Sequence, residues 1–202
     1  MECPLMARVI PAEALAFLSG ALDEGAMTGI RVAGVDPTPG GPRVRFEVPP
    51  MRRRRGDTRP LPDREAIAEL VSRMVALRWK DSPEPRALPE YPPMDLMMNH
   101  SLVIGDYTET DSGWYWLLST AAGWIEETGI PQGFRSTQIK QKFGTLRWYC
   151  SAAEDADRMQ AGKIIRAAEW VSGAVCETCG APGQTRTGGW IRTLCDVHAK
   201  KR

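Results

Sequence analysis

No stretch of this 202-residue chain approaches the roughly 18–20 uninterrupted apolar residues that a membrane helix needs. The opening Met1-Glu2-Cys3-Pro4 also lacks a basic segment followed by an apolar run, so export is not expected and a cytoplasmic protein is. Histidine is scarce, with His100 and His198 the only two. A Gly-rich phosphate loop, a nucleophile elbow and a His-x-Glu zinc signature are all missing, and each familiar enzyme template fails at its first residues. Five cysteines make an odd set for a disulfide scaffold, and in a reducing compartment a Cys-x-x-Cys pair is more often a metal ligand pair than a bridge. Cys150 ends an apolar run and is expected as a small buried side chain.

What is present is ordinary globular material, with 43% hydrophobic and 25% charged residues, enough for a core and against global disorder. The net charge of +1 hides a segregation: residues 1–50 carry −2, residues 51–80 carry +5, residues 81–130 carry −8 and residues 131–202 carry +6. An acidic middle between basic segments either packs on itself or presents separate basic surfaces to a partner. The run Arg52-Arg53-Arg54-Arg55 is read as a solvated linker or as a phosphate-gripping arm.

Periodicity predicts an α+β protein. A helix is expected over Pro11 to Glu24, followed by strands at Thr28 to Val32 and Arg43 to Val48. Between them, Asp36-Pro37-Thr38-Pro39-Gly40-Gly41-Pro42 is too rich in turn formers to continue a ladder. Asp63 should cap a helix from Arg64 to Trp79, and the prolines of residues 81–94 predict extended chain. Residues 1–94 are thus read as an N-terminal α+β region with a proline-rich linker at 81–94, and residues 95–202 as a C-terminal α+β region. The latter should hold helices over Ser112 to Thr128 and Asp155 to Ser172, and strands over Gln138 to Cys150 turning at Gly144. Trp116 and Trp124 lie off the apolar stripe of their helix, so they cover a second packing surface or form an exposed pair.

The decisive pattern is Cys176-Glu177-Thr178-Cys179-Gly180, then Cys195-Asp196-Val197-His198. In a Cys-x-x-Cys turn two thiolates converge on one ion, and a following glycine lets the backbone fold back. Gln184 to Thr187 and Trp190 to Leu194 can pair across Gly188-Gly189, returning the chain to the metal. Cys195 and His198, three apart, share one side of a helical turn. This describes a treble-clef finger at residues 174–202 holding one structural zinc ion through Cys176, Cys179, Cys195 and His198. Mixed thiolate and imidazole ligands favour zinc over iron, and metal binding should contribute on the order of 10 kcal/mol to folding. With four protein ligands no position is left for water, which argues against a catalytic ion.

The Gly113-Trp114 helix start, the segment Ile139-Lys140-Gln141-Lys142-Phe143-Gly144-Thr145-Leu146-Arg147-Trp148-Tyr149 and the finger from Cys176 to Ala199 resemble a family of uncharacterised bacterial and phage-encoded proteins, over residues 112–199. The resemblance implies the same metal ligands and a phage or prophage origin, and it assigns no reaction. The functional expectation is a non-enzymatic, zinc-stabilised protein that binds a host protein or a nucleic-acid-processing complex, for example as a counter-defence inhibitor. Direct DNA or RNA binding is the alternative, and a metal-dependent nuclease using Asp106, Glu109 and Asp111 is a third reading. The residues singled out for partner contact are Lys140, Lys142, Arg147, Trp148, Arg186, Trp190, Arg192 and Lys200, where cations interleave with aromatic rings. His100 is expected to be structural.

Overall fold

The computed structural model describes residues 6–51, 61–152 and 156–201. The run Arg52 to Arg55, Cys3 and Arg202 lie outside these residues. Helix α1 spans Met6–Ala21, so it starts before the expected Pro11 and keeps that proline inside. Pro11 removes one backbone donor; burial of Ile10, Ala14, Phe17 and Leu18 along one face offsets the loss. The expected helix through Glu24 is split, because Asp23 accepts from the Ala26 N–H at 2.8 Å and caps a separate α2, Glu24–Met27.

β1 (Arg31–Thr38) and β2 (Gly41–Glu47) form an antiparallel ribbon, and here the expectation of an unladdered turn is corrected. Pairing continues through Pro37 opposite Pro42 to Thr38 opposite Gly41. Two facing prolines cannot exchange hydrogen bonds, but they fit a non-hydrogen-bonded pair, where each missing donor would point outward from a two-stranded ribbon. The remaining turn is Pro39-Gly40, closed by the Thr38 hydroxyl, which accepts from Gly40 N–H at 3.2 Å and donates to Gly41 O at 2.7 Å. Gly41 has φ +108°, and a Cβ there would lie 2.0 Å from the Ala76 carbonyl oxygen, so the turn sits directly on the next helix.

That helix, α3 (Arg64–Trp79), has the expected bounds, and Asp63 accepts from Ala66 N–H at 3.0 Å as its cap. Arg64 is buried and donates to Pro49 O at 2.8 Å and Thr28 O at 2.7 Å, tying α3 to both ends of the first ribbon. The proline tract is extended only in its first part. Pro92 and Pro93 open α4 (Pro92–Asn99), because a proline in the first turn loses only a donor that the helix leaves unpaired. α5 (Ser101–Ile104) follows directly.

A single 3-10 turn at Ser112–Trp114 leads into α6 (Tyr115–Thr128), which ends at Gly129 with φ +102°. Trp114, Leu117, Leu118, Ala121 and Ile125 are fully buried as their spacing predicts. Trp116 and Trp124 are buried too, each beneath an arginine: Arg86 lies 5.1 Å from the ring centre of Trp116 and Arg73 5.0 Å from that of Trp124. β3 (Arg135–Lys142) and β4 (Thr145–Ser151) form a second ribbon about the turn Phe143-Gly144, and α7 (Ala156–Ser172) packs on β4. Cys150 is exposed near the end of β4, against the expectation of burial, because the alternation Leu146-in, Trp148-in carries position 150 past the covered part of the ribbon.

The fold is α+β, with helices covering small two-stranded antiparallel sheets. One apolar cluster draws on α1, α3, α6 and α7 together with Val44, Ile139, Leu146 and Trp148, so elements from residues 1–94 and 95–202 share it. Among the described residues, no helix is long and apolar enough to cross a membrane.

Candidate metal centre

The chain leaves α7 through Val175 into the Cys176–Gly180 turn, runs through β5 (Gln184–Arg186) and β6 (Arg192–Leu194), and ends in α8 (Asp196–Ala199) with Cys195 as its N-cap residue. Gly180 takes φ +73° and donates its N–H to Cys176 O at 2.9 Å, closing the first turn. Cys195 O accepts from His198 N–H at 3.1 Å and Ala199 N–H at 2.9 Å, closing the second. These turns point one ligand atom from each of Cys176, Cys179, Cys195 and His198 into a common space, all within 4.8 Å of one another.

The separations fit a tetrahedron. Cys179 Sγ lies 3.9 Å from Cys195 Sγ, and His198 Nδ1 lies 3.6 Å from Cys176 Sγ and 3.2 Å from Cys195 Sγ. Metal bonds of about 2.3 Å to sulfur and about 2.0 Å to nitrogen give tetrahedral edges of roughly 3.5–3.8 Å. The four residues could therefore hold a metal ion, with Nδ1 as the histidine donor. The hydrogen bond between the two thiols lowers Cys176 from its ordinary value and, with burial, raises Cys179.

Glu177 is 2% exposed. Its carboxylate accepts from Thr193 N–H at 2.6 Å and Arg192 Nε at 3.0 Å, while its backbone N–H donates to Thr193 O at 2.9 Å. The Glu177 carbonyl accepts from Gly113 N–H at 2.8 Å. A Cβ at Gly113 would meet Cys176 O at 2.2 Å, so only glycine lets the start of α6 approach the metal turn this closely. The Trp114 indole N–H donates to Val175 O at 3.1 Å.

The β3–β4 turn closes on the other side of the finger. Gln141 donates to Ile191 O at 2.8 Å and the Thr193 hydroxyl donates to Gly144 O at 2.7 Å. Behind the ribbon, Leu146 N–H donates to Ser172 Oγ at 2.8 Å and Trp148 N–H to Glu169 at 3.0 Å, both on α7. Segments 113–114, 139–149 and 176–199 thus meet around one centre, although more than sixty residues separate the first from the last. From the N-terminal region, the buried Arg78 donates to Cys179 O at 3.4 Å while its Nε lies 3.0 Å from Glu13 Oε1, an ion pair without hydrogen-bond alignment.

The residues singled out for partner contact divide into two groups. Trp148 is buried, with its indole N–H donating to Ser136 Oγ at 2.8 Å. Arg186 pairs with Asp196, and Arg192 pairs with Glu177 and Asp111, so both spend charge inside the finger. Lys140, Lys142 and Arg147 lie on the outer face of the β3–β4 ribbon; Trp190 is 74% exposed in the finger loop, and Lys200 is exposed after α8. Sequence reasoning missed the interior role of Glu177 and Arg78. The only signal for Glu177 was an acid inside the ligand turn with an arginine three residues before Cys195, and for Arg78 there was none.

Asp106, Glu109 and Asp111, the acids of the nuclease reading, do not come together as a metal-binding group. Asp111 is spent on Arg192, and Glu109 accepts from Gln138 at 3.0 Å while its backbone bridges to β3. Among the described residues, the Cys/His cluster is the one group with metal-binding geometry. His100 is structural in its contacts, with Nδ1 2.9 Å from Glu126 and Nε2 2.9 Å from the Ser119 hydroxyl, fastening the α4–α5 junction to α6. No family model, no curated protein and no solved structure matches the chain.

Proposed function

We propose that the chain is a non-enzymatic binding protein whose single zinc ion is structural, and that it docks on a protein partner belonging to a nucleic-acid-processing complex. Zinc is supported by the three-sulfur, one-nitrogen donor set and by edges near those of its tetrahedron. A structural role is supported by four protein ligands whose neighbouring polar groups are consumed by Glu177, Gly113 and Arg78.

The observation that carries the binding role is a set of exposed apolar side chains on α4 and α5. Met94, Met98 and Leu102 recur every four residues, with Met98 77% and Leu102 72% exposed, and Tyr91 lies in the same segment. The set sits in the stretch of charge −8, whose sign suits a basic groove of the kind that handles nucleic acid. Flexible methionines flanked by an aromatic anchor suit a protein surface better than a small ligand. In a phage setting, such docking would act as a counter-defence inhibitor that occupies the partner's nucleic-acid groove.

The test has two arms. Native mass spectrometry of protein purified without added metal should report one zinc per chain, and its absence would overturn the structural-ion reading. Pull-down from bacterial host lysate should recover a stoichiometric protein with the wild type and lose it with the double variant Met98→Asp, Leu102→Asp. Recovery by both, or by neither, would overturn the assignment of the surface.

A further inference from the structure

We infer that the outer face of the β3–β4 ribbon, joined to the finger loop that carries Trp190, binds single-stranded nucleic acid. This stands apart from the protein-docking set, since it rests on different elements. In β3 and β4 the inward positions are Ile139, Leu146 and Trp148, so the alternate positions Lys140, Lys142, Arg147 and Tyr149 share the outward face. Two hydrogen bonds, Gln141 to Ile191 O and Thr193 to Gly144 O, seat the finger loop that carries Trp190 beside the ribbon's turn. Cations and rings alternate there: Lys140 Nζ is 5.6 Å from the Tyr149 ring centre and Lys142 Nζ 5.7 Å from that of Phe143. The acid at the rim, Glu109, is engaged by Gln138.

Phe143 supplies the independent observation. It occupies φ +54° beside Gly144 at φ +77°, a two-residue turn in which asparagine-glycine is the favoured pair. The left-handed conformation disfavours a side chain, and Phe143 is 66% exposed with only Lys142 over its ring, so burial offsets little of that strain. A bulky ring held outward at a disfavoured backbone position points to a contact made outside the chain. The exposed rings of Tyr149 and Phe143, each beside a lysine, match a strand whose bases are free to stack and whose phosphates need cations. In a duplex the bases already stack on each other, so the rings would find no partner. Arg186 and Arg192 are excluded from the site, because Asp196, Glu177 and Asp111 neutralise them.

Fluorescence anisotropy of zinc-loaded full-length protein with labelled oligo-dT, oligo-rU and a mixed-sequence duplex tests the inference. The single strands are expected to bind more tightly than the duplex, with affinity falling as salt rises. Lys140→Gln with Lys142→Gln should reduce the salt slope by about 0.7 per lysine. Trp190→Ala should weaken binding about tenfold without changing that slope. Phe143→Asn should weaken binding by a similar factor while the melting temperature holds or rises, since asparagine suits the turn; a purely structural ring would leave binding unchanged. Tighter binding to duplex, salt-insensitive binding, no binding to any probe at low salt, or wild-type affinity in both ring variants would each overturn the proposal. Met98→Asp should leave oligonucleotide affinity intact, which separates a failure here from a failure of the protein-docking surface.

Discussion

Glu177 accepts two donors from β6 and carries almost no exposed surface, so its replacement separates charge from shape. Glu177→Gln keeps an acceptor for Thr193 N–H but leaves Arg192 without its buried counter-charge, and urea denaturation of the zinc-loaded protein should show a loss of about 2 kcal/mol. Glu177→Ala should cost more, about 3–5 kcal/mol, as both donors then lose their acceptor. A second residue-scale prediction concerns pH. Burial alone would raise the Glu69 carboxyl, but hydrogen bonds from Arg43 and Arg73, each at 2.7 Å, outweigh it and hold the group below its ordinary 4.5. A lowered folded-state value means the contribution is complete above 4.5 and disappears as pH falls through the lowered value. The stability gap between wild type and Glu69→Gln should therefore be constant near neutrality and close in acid, as read by denaturation at a series of pH values. At this scale the Cys/His cluster that could hold a metal was legible because its spacing is local. Glu177, Arg78 and Arg192 were not, since each is defined by a partner from 15 to 101 positions away that no local pattern encodes.

At the scale of elements, the start of α6 makes one of the tightest approaches among the described residues, against the Cys176–Gly180 turn. Gly113→Ala would place a methyl 2.2 Å from Cys176 O and 2.5 Å from Glu177 O, and both are backbone atoms that cannot rotate away. Overpacking of this kind costs about 1–3 kcal/mol, and here it also pushes on a ligand residue. The expected outcome is a lower melting temperature together with faster zinc loss to a chromophoric chelator, whereas Gly123→Ala, whose added Cβ meets only His100 at an ordinary 3.6 Å, should change neither by much. α3, α6 and the β3–β4 ribbon followed from cap residues and apolar period, because their burial is regular along the chain. The Pro37–Pro42 ladder and the Pro92 helix start were misread for one reason: proline forbids only a donated hydrogen bond, and whether that bond is needed depends on where the partner strand or preceding turn lies.

For the whole molecule, the finger rests on the N-terminal region as well as on its own neighbours. A Cβ at Gly20 of α1 would lie 2.7 Å from the Ala174 Cβ, and Arg78 of α3 joins Glu13 to the Cys179 carbonyl. The faces of α6 and α7 that bury Leu117, Leu118, Ile164 and Val171 belong to the same cluster as Phe17, Leu70 and Val71. Each fully buried aliphatic side chain contributes about 1.5–3 kcal/mol, so deleting residues 1–94 should remove more stability than a domain of ordinary size possesses. The ligands all lie within residues 176–198, so a fragment of residues 95–202 is still expected to bind one zinc ion, but more weakly and more readily released as pH falls, because protons then compete for thiolates no longer braced by α3. Its near-ultraviolet circular dichroism should be weak and its affinity for a hydrophobic dye high, the signature of secondary structure without fixed packing. A fragment with a sharp thermal transition and native-like aromatic signal would instead mean that α6, α7 and the finger close a core by themselves, and that the contacts of Arg78 and Gly20 only dock one finished unit on another.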